Sequence, residues 1–478
     1  MKLAFIPIDN RPVCYNLPKE IAAIDDKLKL FLPERRLLGG LKSTADMEEI
    51  LKWLESINEM DAIVVSLDTI AYGGLISSRR SKDSFEKIKE RLEKLKKLFE
   101  GKTKIYAFSS IMRISNNNIN EEEKDYWNEY GEKIFEYSYN FHKEGIDESE
   151  VPQEILHDYL ATRRRNFEIN KIYLDWLEEK FFETLVFSKD DCAQFGFNVL
   201  EAQILQRLMK ERDLTGFVKT GADEIPLTLF ARAVCDYNNK VPKISAKFLA
   251  PQDKYLISNY EDISIENCVQ DQIELAGCQY TEENNEDIIL LVNNFEEQQG
   301  EIVMGVKTKG FSGKLILPKT PFIIADVKYA NGADNDFIKQ LFISKLGLNF
   351  YGYSAWNTSA NTLGSLICAF VIRFFAKEYN EESFKKLQMI RFLDDWAYQA
   401  NVRQILKEKG KREKGKENRP DFRRRVGSLP HQPRPDFRML KKVMTPYEGK
   451  LKKILKIKPE ISYKFPWKRF FEIEVIIK

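Results

Sequence analysis

The chain has 478 residues, of which 43% are hydrophobic, 31% are charged and 12% are aromatic. These proportions are typical of a folded globular protein and exclude a largely disordered one. The 75 basic and 73 acidic residues give a formal net charge of only +2, which provides no general attraction to nucleic acid. The length allows one large α/β domain with additions, or two domains.

The sequence lacks the features of a membrane or exported protein. No apolar run reaches the roughly 18 residues that a membrane-spanning helix needs, and the most apolar stretch, residues 363–375, is typical of a core helix. The first residues form a poor signal peptide, because their apolar stretch is very short and Asp9 follows it. The six cysteines are dispersed without a CxxC pair, which favours reduced thiols. We therefore expect a cytoplasmic protein without membrane or nucleic-acid partners. The sequence does not determine its oligomeric state.

One pattern repeats along the first three quarters of the chain: a short apolar strand ends in a polar cluster, and an amphipathic helix follows. The predicted strands are residues 3–8, 28–32, 62–67, 104–108, 184–187, 217–220, 244–249, 288–292, 321–325 and 348–353. Such alternation predicts a mainly parallel sheet, either a closed (β/α) barrel or an open doubly wound sheet, perhaps in two halves. Either architecture puts ligand-binding groups at the carboxyl ends of the strands.

The pattern also suggests how the chain is divided. We expect an α/β domain of catalytic type over residues 1–405, with a helical insertion at 119–182. Residues 407–438 are very basic and poor in apolar side chains, which predicts a flexible linker or insertion. Residues 439–478 are expected to return to the main domain through a final strand at 470–477.

Two acidic pairs follow consecutive predicted strands, Asp190 with Asp191 and Asp223 with Glu224. Two nearby carboxyl groups in different environments can divide into an acid and a base, because burial and repulsion separate their pKa values. The structural alternative is that these acids cap the following helices or complement their dipoles. We predict catalytic roles for all four residues, with Asp191 as the preferred general acid.

Further polar residues at strand ends are candidates for substrate binding. The cluster at 326–336 is rich in Asp and Asn, which suits a polyhydroxylated ligand or a hard cation, although a turn would use the same residues. Trp356 lies beside asparagines, as in sugar-stacking platforms, although a buried Trp is equally consistent. The predicted binding residues are Asp9, Arg11, Asp68, Tyr72, Arg113, Asp326, Tyr329, Asn331, Asp334, Asn335, Trp356, Asn357 and Asn361.

Several stretches of the chain resemble one bacterial family, DUF4127, a domain of unknown function. They are FIPIDNRP (5–12), DD (190–191), GADE (221–224), DVKYANGAD (326–334), WNTSANTLG (356–364) and FPWKRFFE (465–472), the last similar to the family's C-terminal signature. The resemblance covers most of the chain, whereas residues 407–438 look unlike the family. It implies one continuous unit and no particular reaction.

The residues favour carboxylate chemistry on a small polar substrate. Carboxylates, amides, Arg, Tyr and Trp are the set that glycoside hydrolysis uses, so we expect a glycosidase-like hydrolase without a cofactor. The alternatives are a hydrolase or lyase that uses Mg²⁺ or Mn²⁺ on the Asp/Asn clusters, and a non-catalytic sugar or metabolite binder. Nucleotide cofactors are not expected, since neither GxGxxG nor GxxxxGK[ST] occurs. Zinc is not expected either, because the three histidines are remote from cysteines.

Overall fold

The computed structural model describes residues 1–57, 59–190, 193–282, 284–409 and 437–478. Within them, two parallel sheets form, one of six strands and one of five, each open at both edges. The predicted α/β class is confirmed. The described strands take the open arrangement in two halves rather than the closed barrel.

The first sheet comes from the N-terminal half of the chain. Its strands are β1 (Lys2–Ile6), β2 (Lys29–Phe31), β3 (Ala62–Ser66), β4 (Lys104–Ile111), β5 (Thr184–Lys189) and β6 (Phe217–Thr220). They lie in the order β2-β1-β3-β4-β5-β6, and every pairing is parallel.

The second sheet repeats the strand order of the first. Its strands and the small ones near them are β7 (Lys243–Phe248), β8 (Gln279–Tyr280), β9 (Ile288–Asn293), β10 (Gly300–Glu301), β11 (Phe322–Asp326), β12 (Tyr329–Ala330) and β13 (Phe350–Ser354). The sheet runs β8-β7-β9-β11-β13, while β10 pairs with β12. In both sheets the first strand lies between the second and the third, so the chain changes direction beside it. A crevice opens at such a switch point, outside the carboxyl ends of the strands.

Helices connect the strands. They are α1 (Pro12–Ala22), α2 (Met47–Ser56), α3 (Leu67–Tyr72), α4 (Leu75–Arg80), α5 (Phe85–Phe99), α6 (Trp127–Glu144), α7 (Gln153–Glu178), α8 (Phe197–Glu211), α9 (Ile225–Asn238), α10 (Ile265–Leu275), α11 (Asn335–Ile343), α12 (Ser359–Phe375), α13 (Glu381–Arg391) and α14 (Phe437–Leu455). A π-helical segment (Phe392–Val402) follows α13, and short 3-10 turns lie at Arg35–Leu37, Pro251–Asp253 and Pro466–Lys468. No described helix combines the length and the apolarity needed to cross a bilayer.

Both faces of the first sheet are buried. Adjacent residues of a strand point to opposite sides of the sheet, and each set packs into a different core. Leu3 and Phe5 join the core shared with α9, where Phe5 meets Phe230 edge to face. Ala4 and Ile6 join a second core, which includes residues of α2, α5 and α7. Helix α9 lies on the first sheet, α12 lies on the second, and the two helices pack against each other. This contact joins the halves and brings the amino ends of α9 and α12 together.

The remaining segments add to this frame. Helices α6 and α7 lie between β4 and β5, within the region predicted as a helical insertion, and have a small core of their own. Of the predicted basic linker, residues 410–436 lie outside the described residues.

The C-terminal segment contains α14 and the antiparallel strands β14 (Ile461–Lys464) and β15 (Glu474–Ile477). The last strand is shorter than predicted. The backbone carbonyls of Phe470 and Phe471 accept hydrogen bonds from the side chains of Tyr398 and Gln399 instead of from a strand.

Candidate active site

A polar cavity of about 230 Å³ lies where the carboxyl ends of the two sheets meet. It is lined by Asp9, Arg11, Leu75, Ile76, Arg113, Glu122, Asp190, Thr220, Gly221, Ala222, Asp223, Tyr260, Glu261, Asn331, Asn357, Thr358, Asn361, Trp467 and Phe471. The segments after β1, β3, β4, β5 and β6 supply the residues from the first half, with Leu75 and Ile76 contributed by α4. The loops after β7, β12 and β13 supply those from the second, and the C-terminal segment adds two aromatic rings.

Asp9, Arg11 and Asp223 form a buried ion-pair cluster at one wall. Arg11 precedes Pro12 and is extended, with φ −65° and ψ 154°, as expected before proline. Its backbone N donates to Asp9 Oδ1 (2.9 Å) and its Nε to Asp9 Oδ2 (2.8 Å). The two terminal nitrogens donate to the two oxygens of Asp223, with 3.0 Å between Nη1 and Oδ2. Burial raises the pKa of Asp223, and the guanidinium of Arg11 opposes that rise.

A second cluster carries Asp190, which directly follows β5. Arg113 Nη1 lies 3.6 Å from Asp190 Oδ2, and Arg113 Nη2 donates to Glu122 Oε2 (2.7 Å). Arg469 of the C-terminal segment contacts the other oxygen of Glu122 at 2.8 Å. Burial alone would raise the pKa of Glu122, but the guanidiniums of Arg113, Arg79 and Arg469 bring it well below its ordinary value. Glu122 is thus engaged in holding the wall, whereas Asp190 Oδ2 is buried without a hydrogen bond from the described residues.

Glu261 is a cavity residue that the sequence patterns did not indicate. Its Oε1 accepts a hydrogen bond from the backbone N of Ala360 (2.8 Å) at the amino end of α12. Its Oε2 is buried and has no hydrogen-bond partner among the described residues. Burial raises the pKa of Glu261 to about 7. The available signal was positional: Glu261 lies in the loop after the first strand of the second half, as Asp9 follows the first strand of the first half.

Glu224 lies beneath the cavity rather than in its wall. It is fully buried, and its Oε1 accepts a hydrogen bond from Gln272 Nε2 (3.1 Å). Gly221, with φ +109°, covers it so closely that a β-carbon there would lie 1.8 Å from Glu224 Oε1. Burial raises the pKa of Glu224 well above its ordinary value. The predicted acid of this pair that reaches the cavity is therefore Asp223.

The predicted cluster at 326–336 divides between the cavity and its support. Asn331 lines the cavity, and its backbone N donates to the carbonyl oxygen of Asn357 (2.8 Å), which joins the two asparagine loops. Asn331 and Asn357 both have positive φ, 61° and 57°, which asparagine tolerates better than most residues. Asp326 is buried and ties the loop together by accepting from the backbone N of Asp334 (2.9 Å). Asn331 can therefore bind a ligand while Asp326 stabilises the turn, so the two interpretations of the cluster are compatible.

Several predicted binding residues lie outside the cavity lining, because their side chains serve the fold. Asp68 is buried and accepts from the backbone N of Ser110 (2.8 Å). Asp334 caps α11 by accepting from the backbone N of Asp336 (3.0 Å). Three more of these residues are occupied elsewhere: Tyr72 and Trp356 are buried in the core, and Tyr329 donates through its hydroxyl to the Thr308 carbonyl.

Two predicted site residues remain to be placed. Asn335 is in the first turn of α11, where its Oδ1 accepts from Trp396 Nε1 (2.9 Å), so it also belongs to the support. Asp191 lies outside the described residues, and its predicted role as general acid stays a prediction.

The two aromatic rings at the cavity were not predicted as site residues. Trp467 donates from Nε1 to Asn10 Oδ1 (2.7 Å), which anchors the C-terminal segment beside β1. The guanidiniums of Arg11 and Arg469 lie 5.3 and 4.7 Å from its ring centroid. The Trp467 ring is thus already engaged with two cations at this wall.

Among the described residues, one group could hold a metal ion by geometry: Asp9, Cys14 and Asp223 offer ligand atoms within 4.8 Å of one another. Arg11, however, donates hydrogen bonds to both carboxylates of this group. Burial also raises the pKa of the Cys14 thiol, whereas a metal needs the thiolate. The donor set fits the arginine better than it fits a cation.

The fold and the cavity define a two-sheet α/β protein with a carboxylate-rich cleft between its halves. The family model described as "Protein of unknown function (DUF4127)" matches residues 3–476. The chain therefore belongs to this family, as its motifs predicted. A search of curated proteins gave no significant match.

Proposed function

We propose that the protein is a carboxylate-based hydrolase that acts on a carbohydrate or glycoside in the cavity between its two sheets. The observation that carries the proposal is that Glu261 and Asp190 line the same polar cavity, together with three asparagines. Glycoside hydrolysis requires one carboxylic acid to protonate the leaving oxygen, a second carboxylate as base or nucleophile, and hydrogen-bonding groups for the hydroxyls.

Glu261 has the properties of the general acid. One of its oxygens accepts the Ala360 N–H, as the carbonyl oxygen of a protonated carboxyl would, and the other is left to carry the proton. A pKa of about 7 keeps a large fraction of Glu261 protonated near neutral pH. A catalytic acid is most efficient when its pKa lies near the working pH.

Asp190 is the best candidate for the second carboxylate. Both oxygens of Asp223 already hold Arg11, and Glu224 lies beneath the cavity floor. Asp190 Oδ2, by contrast, is without a hydrogen bond from the described chain, and Arg113 fixes its position through an ion pair. In this proposal Asp9, Arg11 and Asp223 form a rigid wall.

Substrate hydroxyls would be held by the amides of Asn331, Asn357 and Asn361, all of which line the cavity.

We also keep the proposal that the protein works in the cytoplasm. Five cysteines of the described chain, Cys14, Cys235, Cys268, Cys278 and Cys368, are free and buried, which suits a reducing compartment.

The test is turnover of a panel of 4-nitrophenyl glycosides by the wild-type chain and by two isosteric variants, Glu261→Gln and Asp190→Asn. Loss of an essential acid or base should lower kcat by about 10²- to 10⁴-fold. Glu34→Gln is the matched control, since the Glu34 side chain is 67% exposed and does not line the cavity. Thermal melts of each variant check that the fold is kept. Full activity in either cavity variant would end this assignment, and binding without turnover of any glycoside would favour the non-catalytic binder.

A second candidate is a hydrolase or lyase that depends on Mg²⁺ or Mn²⁺, and the Asp9, Cys14 and Asp223 group is the observation in its favour. Because Arg11 already satisfies both carboxylates, we expect dialysis against EDTA to leave any activity unchanged. Activity lost on chelation and restored by Mg²⁺ or Mn²⁺ would favour the metal-dependent reaction instead.

A further inference from the structure

We infer that the substrate carries an amino group, bound as an ammonium ion next to Asn361, and that anionic sugars are rejected. This inference rests on the proposed use of the cavity as a substrate site. It specifies the class of carbohydrate: amino sugars with a free amine rather than sugar phosphates or uronic acids.

The charge of the cavity wall is the first reason. Four carboxyl groups line it besides that of the general acid Glu261, those of Asp9, Asp190, Asp223 and Glu122, against the guanidiniums of Arg11 and Arg113. Each guanidinium is already hydrogen-bonded to a carboxylate of the same wall. A cleft lined mostly by one sign of charge concentrates ligands of the opposite sign.

The second reason is an acceptor that lacks a donor. Asn361 is 5% exposed and donates from Nδ2 to Thr358 Oγ1 (3.1 Å). Its Oδ1 is buried at the cavity without a hydrogen-bond partner among the described residues. A buried acceptor left unpaired costs about 1–3 kcal/mol, so a ligand that supplies an N–H donor there binds favourably.

The amino end of α12 does not reverse this preference. A helix amino end would ordinarily attract an anion, because its first N–H groups lack partners. Here Glu261 accepts the N–H of Ala360, and the Thr358 hydroxyl accepts that of Asn361. The protein's own side chains thus occupy the position that a phosphate or carboxylate would take.

Isothermal titration of the wild-type chain with matched monosaccharides tests the inference. The probes share one ring configuration: D-glucose is the neutral partner, D-glucosamine has an ammonium group in place of its 2-hydroxyl, and D-glucuronate has a carboxylate at C6; the corresponding galacto and manno sets are included. We expect one amino sugar to bind at least tenfold more tightly than its neutral partner, and the uronates not to bind. Equal or tighter binding of the neutral or anionic partner would overturn the inference, and so would absence of binding across the whole panel at 100 mM.

Variants at position 361 locate the effect. Asn361→Asp keeps an acceptor and adds a negative charge, so the affinity for the amino sugar should rise several-fold while that for its neutral partner should not. Asn361→Leu should abolish the preference, and the first variant remains informative if the second fails to fold. An unchanged preference in Asn361→Asp would contradict the placement of the ammonium ion. Preference for the amine without turnover of any glycoside would support this inference and refute the proposed hydrolase. Turnover of neutral glycosides alone would support the hydrolase and refute this inference.

Discussion

Removal of Arg11 should destabilise the protein strongly, because its guanidinium donates hydrogen bonds to the carboxylates of both Asp9 and Asp223. The three side chains are only 6–9% exposed. Arg11→Met keeps most of the side-chain volume and removes the charge. Breaking a buried ion pair from one side costs about 3–5 kcal/mol, since the remaining charge is left uncompensated. We expect a loss of that size in the free energy of unfolding at pH 8.

The assay is urea unfolding followed by tryptophan fluorescence, at pH 8 and at pH 5. Arg11 lowers the pKa of Asp223, so its removal lets that pKa rise further, and protonation at pH 5 should relieve part of the loss. Arg36→Met is the matched control, because its ion pair with Glu34 is 74% and 67% exposed. An exposed pair contributes about 0–1 kcal/mol.

A compensating variant separates charge from packing. If Asp9→Asn and Asp223→Asn are added to Arg11→Met, no buried charge is left unpaired in the cluster, and at least half of the lost stability should return. A loss below about 1 kcal/mol in Arg11→Met, or no recovery in the triple variant, would refute the reasoning about the wall.

Two further predictions concern the buried acids and the cavity floor. Burial raises the pKa of Asp326 and of Glu472 to about 8, so the folded chain binds more protons than the unfolded chain above the ordinary carboxyl range. Stability should therefore fall as pH rises from 5 through 8, and a higher urea midpoint at pH 8 than at pH 6 would contradict this. Gly221→Ala should destabilise by about 1–3 kcal/mol more than Gly313→Ala, because φ is nearly the same at both (+109° and +110°) while only Gly221 faces Glu224. Equal urea midpoints for the two glycine variants would show that Glu224 does not lie against the floor.

The convergence of distant acids could be predicted from the sequence. Asp9, Asp190 and Asp223 each follow an apolar strand, and parallel strands bring their carboxyl ends to one edge. The structure places all three in the lining of one cavity. The roles of these residues remain predictions, since convergence alone does not assign chemistry.

The direction of each side chain could not be predicted from position. Asp68 and Trp356 also follow strands, yet both are buried away from the cavity. A polar residue after a strand can cap a helix or tie a loop as readily as it can meet a ligand, and the same sequence pattern serves all three. Glu261 was missed because it lies well beyond the end of β7, whereas the predicted acids directly follow a strand, so only its place in the loop after β7 pointed to it.

The sequence also could not distinguish a closed barrel from two open sheets. Strand and helix periodicity locates the elements, but it does not determine which strands pair. Here β6 ends the first sheet and β7 begins the second. The packing of α9 against α12 holds the halves together, and this long-range contact leaves no local pattern.

The most direct test of the proposed chemistry compares leaving groups in Glu261→Gln. A 2,4-dinitrophenyl glycoside departs without protonation, whereas an alkyl glycoside with the same sugar needs a general acid. We predict that Glu261→Gln lowers kcat at least a hundredfold on the alkyl glycoside and less than tenfold on the dinitrophenyl one. An equal loss on both substrates, or no loss on either, would contradict a proton-donating role for Glu261.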